Sequence, residues 1–334
     1  MKTYLVTGGC GFISSHLCRA LVSRGDAVRA PDDLSTGFAA NLPASASLIE
    51  GDVGDPAAVR RAVAETDGCF HLAAIASVEL SRRDWLGTHR TNLGGSITVF
   101  DAAAATAIPV VYASSAAVYG DCARLPIDEG AEKEPISAYG ADKLGCELHA
   151  RAAARTRHLL SVGLRLFNVY GPGQNPKSPY SGVISIFCDR IRHGQPIEIF
   201  GDGRQSRDFV FVGDVIVAML GAMDAPPTGA PVFNVCTGRG TSVRELAELI
   251  GRLSGRDPAI RLRPRRDGEI EHSRGDPTAM RRAFALGEPT DLTTGLARTL
   301  ASLDEAPGYA NTRSPSPTIT LPRRGKRRPA AQRS

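Results

Sequence analysis

Short apolar runs alternate with amphipathic stretches along the first half of the chain. This rhythm is typical of a parallel β-sheet covered by helices on both faces. The predicted strands are Thr3–Thr7, Ala27–Ala30, Ser47–Glu50, Gly68–His71, Val110–Ala113 and Val162–Leu166. The predicted helices between and after them are Ile13–Ser23, Pro56–Glu65, Asn92–Thr106 and Ala138–Thr156. The pattern therefore predicts an α/β protein with a doubly wound parallel sheet.

The pattern changes beyond residue 170, where glycine and proline pairs mark a long irregular loop before apolar runs return. We expect a smaller C-terminal lobe over residues 171–305, with some strands and helices returning to the first domain from about 207–236. From residue 306 to 334 the chain is rich in Pro, Ser, Thr and Arg, which predicts a disordered tail.

The length of 334 residues suits about two domains, and a hydrophobic content of 42% with 22% charged residues is ordinary for a globular protein. The tail holds seven basic residues and no acidic residue, so its positive charge exceeds the net charge of +5 of the whole chain. Residues 1–305 are thus slightly acidic, and a nucleic-acid partner is not expected.

The seven cysteines are scattered without a C-x-x-C pair, so no metal site or redox motif is expected and a reducing, cytoplasmic location is favoured. No apolar run approaches the roughly 20 residues that cross a bilayer, and no secretory leader is expected.

A glycine-rich turn follows the first predicted strand and leads directly into a helix, in the sequence TGGCGFIS from Thr7 to Ser14. Gly8 and Gly11 allow a tight turn, and the helix N-terminus offers N–H groups to a pyrophosphate. Asp32 follows the second strand, where a carboxylate accepts hydrogen bonds from ribose hydroxyls and repels a 2′-phosphate. These features predict an NAD-binding Rossmann fold, although Ser14 replaces the third glycine of the fingerprint.

Tyr139 and Lys143 lie four residues apart on a predicted helix, which places both side chains on one face. A free phenol titrates at about pH 10, and a neighbouring ammonium stabilises the phenolate that could accept a proton from a sugar hydroxyl. Ser115 follows the strand Val110–Ala113, where its hydroxyl could bond the same oxygen. Ser115, Tyr139 and Lys143 are therefore the candidate catalytic residues.

With these motifs in order, the chain resembles the extended short-chain dehydrogenases/reductases, and within them the nucleotide-sugar 4-epimerases that act on UDP-glucose or UDP-N-acetylglucosamine. The resemblance covers roughly residues 1–300. The matching stretches are TGGCGFISSHL at Thr7, DDLSTG at Asp32, EGDVGD at Glu50, HLAAIASV at His71, SSAAVYG at Ser114, YGADK at Tyr139, LRLFNVYGP at Leu164, SPYSGVISIF at Ser178 and GDGRQSRDFVFVGD at Gly201.

The resemblance implies two sets of binding residues. Those expected at NAD are Gly8, Gly11, Phe12, Ile13, Asp32, Leu34, Ser35, Thr36, Gly37, Asp52, Val53, Leu72, Ala73, Ala74, Asn92, Tyr139, Lys143 and Phe167. Those expected at the UDP-sugar are Ser115, Tyr139, Asn168, Val183, Ile199, Phe200, Arg207, Arg266, Glu269 and Ser273. Asp267 and Glu269 depart from the family pattern, and the small Ser273 at the gate to the hexose pocket makes N-acetylated sugars a live hypothesis beside plain hexoses.

The implied reaction is reversible epimerisation at carbon 4 through a 4-ketosugar. Related dehydratases carry an acidic residue just after the position of Ser115, where this chain has Ala116 and Ala117. A UDP-glucuronate 4-epimerase, another nucleotide-sugar enzyme such as a 4,6-dehydratase, and a non-catalytic NAD-binding regulatory protein remain alternatives. The resemblance also implies a homodimer joined through the helices predicted at Asn92–Thr106 and Ala138–Thr156. No membrane partner is expected, because no apolar run is long enough to cross a bilayer.

Overall fold

The computed structural model describes residues 1–178, 181–226, 228–266, 268 and 270–305. Its strands are β1 (Thr3–Thr7), β2 (Ala27–Asp32), β3 (Ser47–Glu50), β4 (Gly68–His71), β5 (Val110–Ser115), β6 (Ser161–Leu166), β7 (Asn168–Tyr170), β8 (Ile197–Phe200), β9 (Ser206–Phe211), β10 (Val232–Val235), β11 (Gly240–Ser242), β12 (Ile260–Arg263) and β13 (His272–Ser273). Its α-helices are α1 (Phe12–Ser23), α2 (Pro56–Val63), α3 (Val78–Arg83), α4 (Trp85–His89), α5 (Gly95–Ala105), α6 (Ala138–Arg157), α7 (Val183–Arg192), α8 (Val212–Asp224), α9 (Val243–Ser254), α10 (Thr278–Phe284) and α11 (Leu292–Glu305).

The main sheet has seven parallel strands in the order β10-β6-β5-β4-β1-β2-β3, which confirms the predicted doubly wound fold. Six of these strands were predicted, and the seventh, β10, comes from far along the chain and pairs with β6. Several predicted ends shift by one to three residues, β5 for example running on to Ser115, and two of these shifts have a clear local reason. Strand β2 runs on to Asp32 because Pro31 and Asp32 pair with β3, and α2 stops at Val63 because Glu65 adopts a left-handed φ of 58°.

Helices bury an apolar face on each side of this sheet. On one side α1 and α8 pack Leu17, Leu21 and Met219 among the sheet side chains. On the other side α2, α5 and α6 pack residues such as Val99 and Ala150. Burying one large aliphatic side chain contributes about 1.5–3 kcal/mol, so these two layers fix how the loops at the strand ends are placed.

The remaining strands form a smaller region. Strand β9 pairs with β11, β13 and β7, while β8 pairs with β12. Helices α7, α9 and α11 cover a third apolar cluster here. The buried carboxylate of Asp208 accepts hydrogen bonds from the backbone of Thr237, Gly238 and Gly275, which ties β9 to the loops after β10 and β13.

Within the described ranges, none of the helices combines the length and the apolar character that crossing a bilayer requires. The predicted tail, residues 306–334, lies outside the described residues.

Candidate functional site

A cavity of about 570 Å³ opens at the carboxyl ends of the main-sheet strands. This is the edge at which doubly wound sheets bind their ligands. The predicted residues that line it are Gly8, Gly11, Phe12, Ile13, Asp32, Ser35, Thr36, Gly37, Asp52, Val53, Leu72, Ala73, Ala74, Ser115, Tyr139, Lys143, Phe167 and Asn168. The structure therefore brings together most of the predicted cofactor set and all three candidate catalytic residues.

The glycine-rich turn between β1 and α1 exposes backbone without side chains at the cavity wall. Gly8 has a φ of 65°, and a Cβ there would lie 2.8 Å from the Cα of Ala73. No described side chain caps the first turn of α1, whose N-cap is Gly11. The N-terminus of α1 thus presents unpaired N–H groups and the positive end of its dipole at the cavity wall, an arrangement that suits a pyrophosphate.

Asp32 is held rigidly at the end of β2. One carboxylate oxygen accepts the N–H of Cys10 at 2.9 Å, and the other accepts the N–H of Leu34 at 2.8 Å. Burial raises the pKa of Asp32, while these two hydrogen bonds oppose that shift. Each oxygen keeps acceptor capacity for a ribose hydroxyl. Together with the bare glycine turn, this donor and acceptor set fits the dinucleotide that the sequence predicted.

A buried hydrogen-bond chain supports the cavity floor. The Oγ1 of Thr7 accepts the N–H groups of Leu72 and Ala73 at 3.1 Å, and it lies 2.8 Å from Nδ1 of His71. Nε2 of His71 lies 2.9 Å from the hydroxyl of Ser96, which donates to a backbone carbonyl. Since Thr7 already accepts twice, its proton goes to Nδ1, and His71 is the neutral tautomer protonated at Nε2.

This neutral histidine makes the fold sensitive to acid. Burial lowers the pKa of His71 to about 3, whereas a histidine in the unfolded chain titrates at about 6.5. Below pH ~6.5 this histidine is protonated in the unfolded chain but stays neutral in the native state, so the free energy of unfolding falls as the pH falls. We expect about 2 kcal/mol to be lost between neutral pH and about pH 5. Urea unfolding across this range should show a shallower pH slope for His71→Asn than for the wild type.

A matched control for this experiment is His149→Asn on the exposed face of α6. The free energy of unfolding of that variant should keep the wild-type slope. A wild-type slope in His71→Asn would contradict the assignment of a buried neutral imidazole.

The three candidate catalytic side chains come from β5 and α6. The Nζ of Lys143 donates to the carbonyl of Ala113 at 2.8 Å and lies 5.9 Å from the centroid of the Tyr139 ring. The Oγ of Ser115 accepts the N–H of Ala117 at 3.1 Å and so caps the short 3₁₀ turn Ala116–Tyr119. Because that oxygen is used as an acceptor, the hydroxyl proton of Ser115 remains for a ligand oxygen. A base, a cation and a hydroxyl donor thus share one wall.

Acidic groups lie at the opposite end of the cavity. In the described part of its wall the carboxylates are those of Asp32, Asp33 and Asp52. Ala116 and Ala117, directly after Ser115, carry only methyl groups. The described wall around Tyr139 therefore has no carboxylate to act as a second acid or base.

The predicted substrate residues fall into two small groups. Arg207 on β9 pairs in register with Ser273 on β13, and Asn168 on β7 pairs with β9 two residues beyond Arg207. The guanidinium of Arg266 lies 3.8 Å from the centroid of the Phe200 ring. Asn168 lines the cavity, whereas Arg207, Ser273, Arg266, Phe200 and Val183 lie outside its described wall. Glu269 and Asp267 lie outside the described residues.

Two expectations of direct contact are corrected. Asn92 is 0% exposed, and its side-chain amide bonds the backbone N–H and carbonyl of Ile75, so it shapes the loop after β4. Ile199 is 1% exposed and belongs to the apolar core under β8. Leu34 is not part of the described cavity wall, and its backbone N–H donates to Asp32.

Sequence reasoning missed a polar stretch of wall in the loop after β7. The residues there are Gln174, Asn175, Ser178 and Ser181. The hydroxyl of Ser181 donates to the carbonyl of Ser178 at 2.6 Å, which folds this loop back on itself at the start of α7. The glycine and proline signals marked a loop, but nothing local in them indicated which side of the molecule it would cover.

Comparison with known proteins agrees with this geometry. A family model described as the NAD-dependent epimerase/dehydratase family matches residues 4–236. The UDP-glucose 4-epimerase of Mycolicibacterium smegmatis is 35% identical over 90% of this chain and 97% of its own length.

Two solved structures share both the fold and about a third of the sequence. The UDP-glucose 4-epimerase of Thermotoga maritima with UDP-glucose has a TM-score of 0.87 at 35% identity, covering 91% of this chain and 99% of that one. The UDP-N-acetylglucosamine 4-epimerase of Methanobrevibacter ruminantium, in complex with UDP-N-acetylmuramic acid, has a TM-score of 0.86 at 33% identity, covering 91% and 98%.

Proposed function

Because the chain belongs to the NAD-dependent epimerase/dehydratase family, we propose that it is an isomerase that interconverts the gluco and galacto forms of a UDP-sugar at carbon 4. The observation that carries this proposal is the meeting of Ser115, Tyr139 and Lys143 in the same cavity as the glycine turn and Asp32. The substrate class comes from relatives named UDP-glucose 4-epimerase and from a neighbour named UDP-N-acetylglucosamine 4-epimerase.

When bound, NAD supplies reversible hydride-transfer chemistry. The residues that would hold it are the glycine turn, the N-terminus of α1, Asp32 and the backbone after β4. The chain's own part in the reaction is orientation and proton movement. The Tyr139 phenolate takes the proton of the sugar 4-hydroxyl, and the Lys143 ammonium stabilises that phenolate. The Ser115 hydroxyl donates a hydrogen bond to the same sugar oxygen and keeps its proton.

Epimerisation requires the 4-ketosugar to present its other face before Tyr139 returns the proton. Ala116 and Ala117 leave the wall beside Tyr139 small and free of acid, which favours this turn over dehydration. The described cavity wall holds one cationic side chain, Lys143, and that ammonium is engaged with Ala113. A uronate carboxylate therefore has no dedicated partner in the described wall, which favours neutral sugars over UDP-glucuronate.

Proton NMR tests the proposal directly. The purified protein with bound NAD is incubated separately with UDP-glucose, UDP-N-acetylglucosamine and UDP-glucuronate, and the anomeric signals are followed without added reductant. Appearance of the galacto isomer supports the proposal and ranks the sugars, with Ser273 expected to admit the N-acetyl group. Conversion of UDP-glucuronate alone would favour the uronate alternative. NAD binding without conversion of any sugar would favour a non-catalytic regulatory protein.

The proposal includes a homodimer formed by the outer faces of α5 and α6. Ile97 on α5 and Leu148 on α6 are exposed apolar residues, and Trp85 and Leu86 continue the surface on α4. A charge introduced there should prevent a second copy from packing. We expect Ile97→Lys/Leu148→Lys to halve the mass measured by light scattering.

Val217→Lys, an equally exposed apolar position on α8, provides the control and should keep the wild-type mass. Trp85 is the sole tryptophan, so its emission should shift to longer wavelength in the monomer. An unchanged mass in the double variant would contradict this interface.

A cytoplasmic location also belongs to the proposal, supported by seven cysteines that are all free thiols. We further propose the division into an NAD-binding domain over 1–170, with elements returning at 207–236, and a mainly substrate-binding lobe over 171–305.

A further inference from the structure

A buried ion pair lies directly behind the cavity wall that carries Ser115. The guanidinium of Arg165 on β6 donates to both carboxylate oxygens of Glu147 on α6, at 2.8 and 2.7 Å. The Arg165 and Glu147 side chains are 3% and 1% exposed. Neither residue lines the cavity, and nothing in the proposed reaction uses them.

The pair holds both flanks of Ser115. On one flank, the hydroxyl of Ser114 donates to Oε1 of Glu147 at 2.5 Å. On the other flank, Nη1 of Arg165 donates at 2.7 Å to the hydroxyl of Tyr119, the last residue of the 3₁₀ turn that Ser115 caps. Tyr119 in turn donates to Asn234 on β10 at 2.6 Å. Ser115 therefore lies between two anchors, Ser114 and Tyr119, which are hydrogen-bonded to the two members of one ion pair.

The same pair fixes α6 relative to β5. Glu147 lies one helical turn beyond Lys143, and Lys143 donates to the carbonyl of Ala113. Lys143 and Glu147, one turn apart on α6, thus form hydrogen bonds with adjacent residues, Ala113 and Ser114, at the end of β5. This two-point attachment sets the distance between the Ser115 hydroxyl and the helix that carries Tyr139.

Stability alone does not require such a pair, because well-packed apolar residues of similar size often replace a buried ion pair at no cost to the fold. We propose that Glu147 and Arg165 are positioning residues, which hold the Ser115 hydroxyl at the place where it bonds the reacting sugar oxygen. This inference rests on the proposed function, since it assigns the pair a part in that reaction.

The test separates stability from turnover in the full-length protein with bound NAD. Arg165→Met alone leaves the Glu147 charge buried without its partner and should lower the Tm sharply. Glu147→Leu/Arg165→Met removes both charges and should recover the Tm. We expect this double variant to keep a kcat at least about tenfold below the wild type, with KM for the UDP-sugar within about twofold, because a displaced hydroxyl weakens the transition state more than the ground state.

Hydrogen exchange supplies a readout that does not depend on activity. Peptides covering residues 113–119 should exchange faster in the double variant, even at matched Tm. Ile250→Val, in the buried core of the other lobe, is the control for mild destabilisation and should change neither kcat nor exchange of this segment. If the double variant does not recover the wild-type Tm, the same measurements are made on Ser114→Ala. This substitution deletes a single hydroxyl group and so removes one of the two anchors of Ser115.

Wild-type exchange over residues 113–119 together with wild-type kcat, in the double variant or in Ser114→Ala, would overturn the inference. A wild-type protein that converts no sugar would instead contradict the proposed function. In that case faster exchange of the segment in the double variant would still support the anchoring of Ser115, and unchanged exchange would refute it.

Discussion

Tyr139→Phe is expected to lower the kcat for epimerisation by about 10²- to 10⁴-fold, the usual contribution of a positioned acid-base group. The substitution removes one oxygen and leaves the ring and its contact with Lys143 in place. Without the phenolate, the 4-hydroxyl proton has no basic group beside it, because the carboxylates of the described cavity wall, those of Asp32, Asp33 and Asp52, lie at the opposite end. The measurement is the initial rate by NMR, with NAD affinity followed by calorimetry.

The affinity for NAD should remain within about twofold in this variant, because the glycine turn and Asp32 are untouched. Tyr170→Phe is the matched control. Its hydroxyl is buried and has no hydrogen-bond partner among the described residues, so its removal should leave kcat unchanged. A Tyr139→Phe enzyme with a near wild-type rate would show that another group moves the proton.

The parts of the fold and site that could be predicted are those encoded by short stretches of sequence. The turn between β1 and α1 depends on glycines that are adjacent in the chain, and its location followed from one strand and one helix. The Tyr139 and Lys143 pair likewise depends only on helical spacing. Asp32 required the position of a second strand, which the alternation of apolar runs supplied.

The parts that could not be predicted depend on contacts between distant segments. Strand β10 lies in the segment, about 207–236, from which elements are expected to return to the first domain, but only the folded chain shows that it pairs with β6 at the edge of the main sheet. Asn92 is predicted at the cofactor, but its side chain is buried and hydrogen-bonds the backbone of Ile75, 17 residues earlier in the chain. The pairing of Glu147 with Arg165 joins a helix and a strand, and each residue alone reads as an ordinary charged side chain.

Gly140→Ala is expected to lower kcat by about 10²-fold although the added methyl group carries no chemistry. Gly140 follows Tyr139 on α6, and a Cβ there would lie 2.5 Å from the carbonyl oxygen of Ala117. That carbonyl belongs to the 3₁₀ turn that Ser115 caps, so the clash drives α6 away from the segment that carries Ser115. A displacement of about 1 Å between catalytic groups is enough to cost this factor.

Gly145→Ala tests whether the effect comes from this contact or from any added methyl group on the helix. The atoms nearest to a Cβ at Gly145 would be the terminal methyl groups of Leu93, at 3.1 Å. A flexible side chain can move aside, and alanine is a better helix former than glycine, so the Tm and kcat of this variant should stay close to wild type. Equal losses of kcat in both variants would mean that α6 responds to crowding along its whole length. A selective loss in Gly140→Ala would instead place the sensitive contact at Ala117, where the helix that carries the base meets the turn that carries the hydroxyl donor.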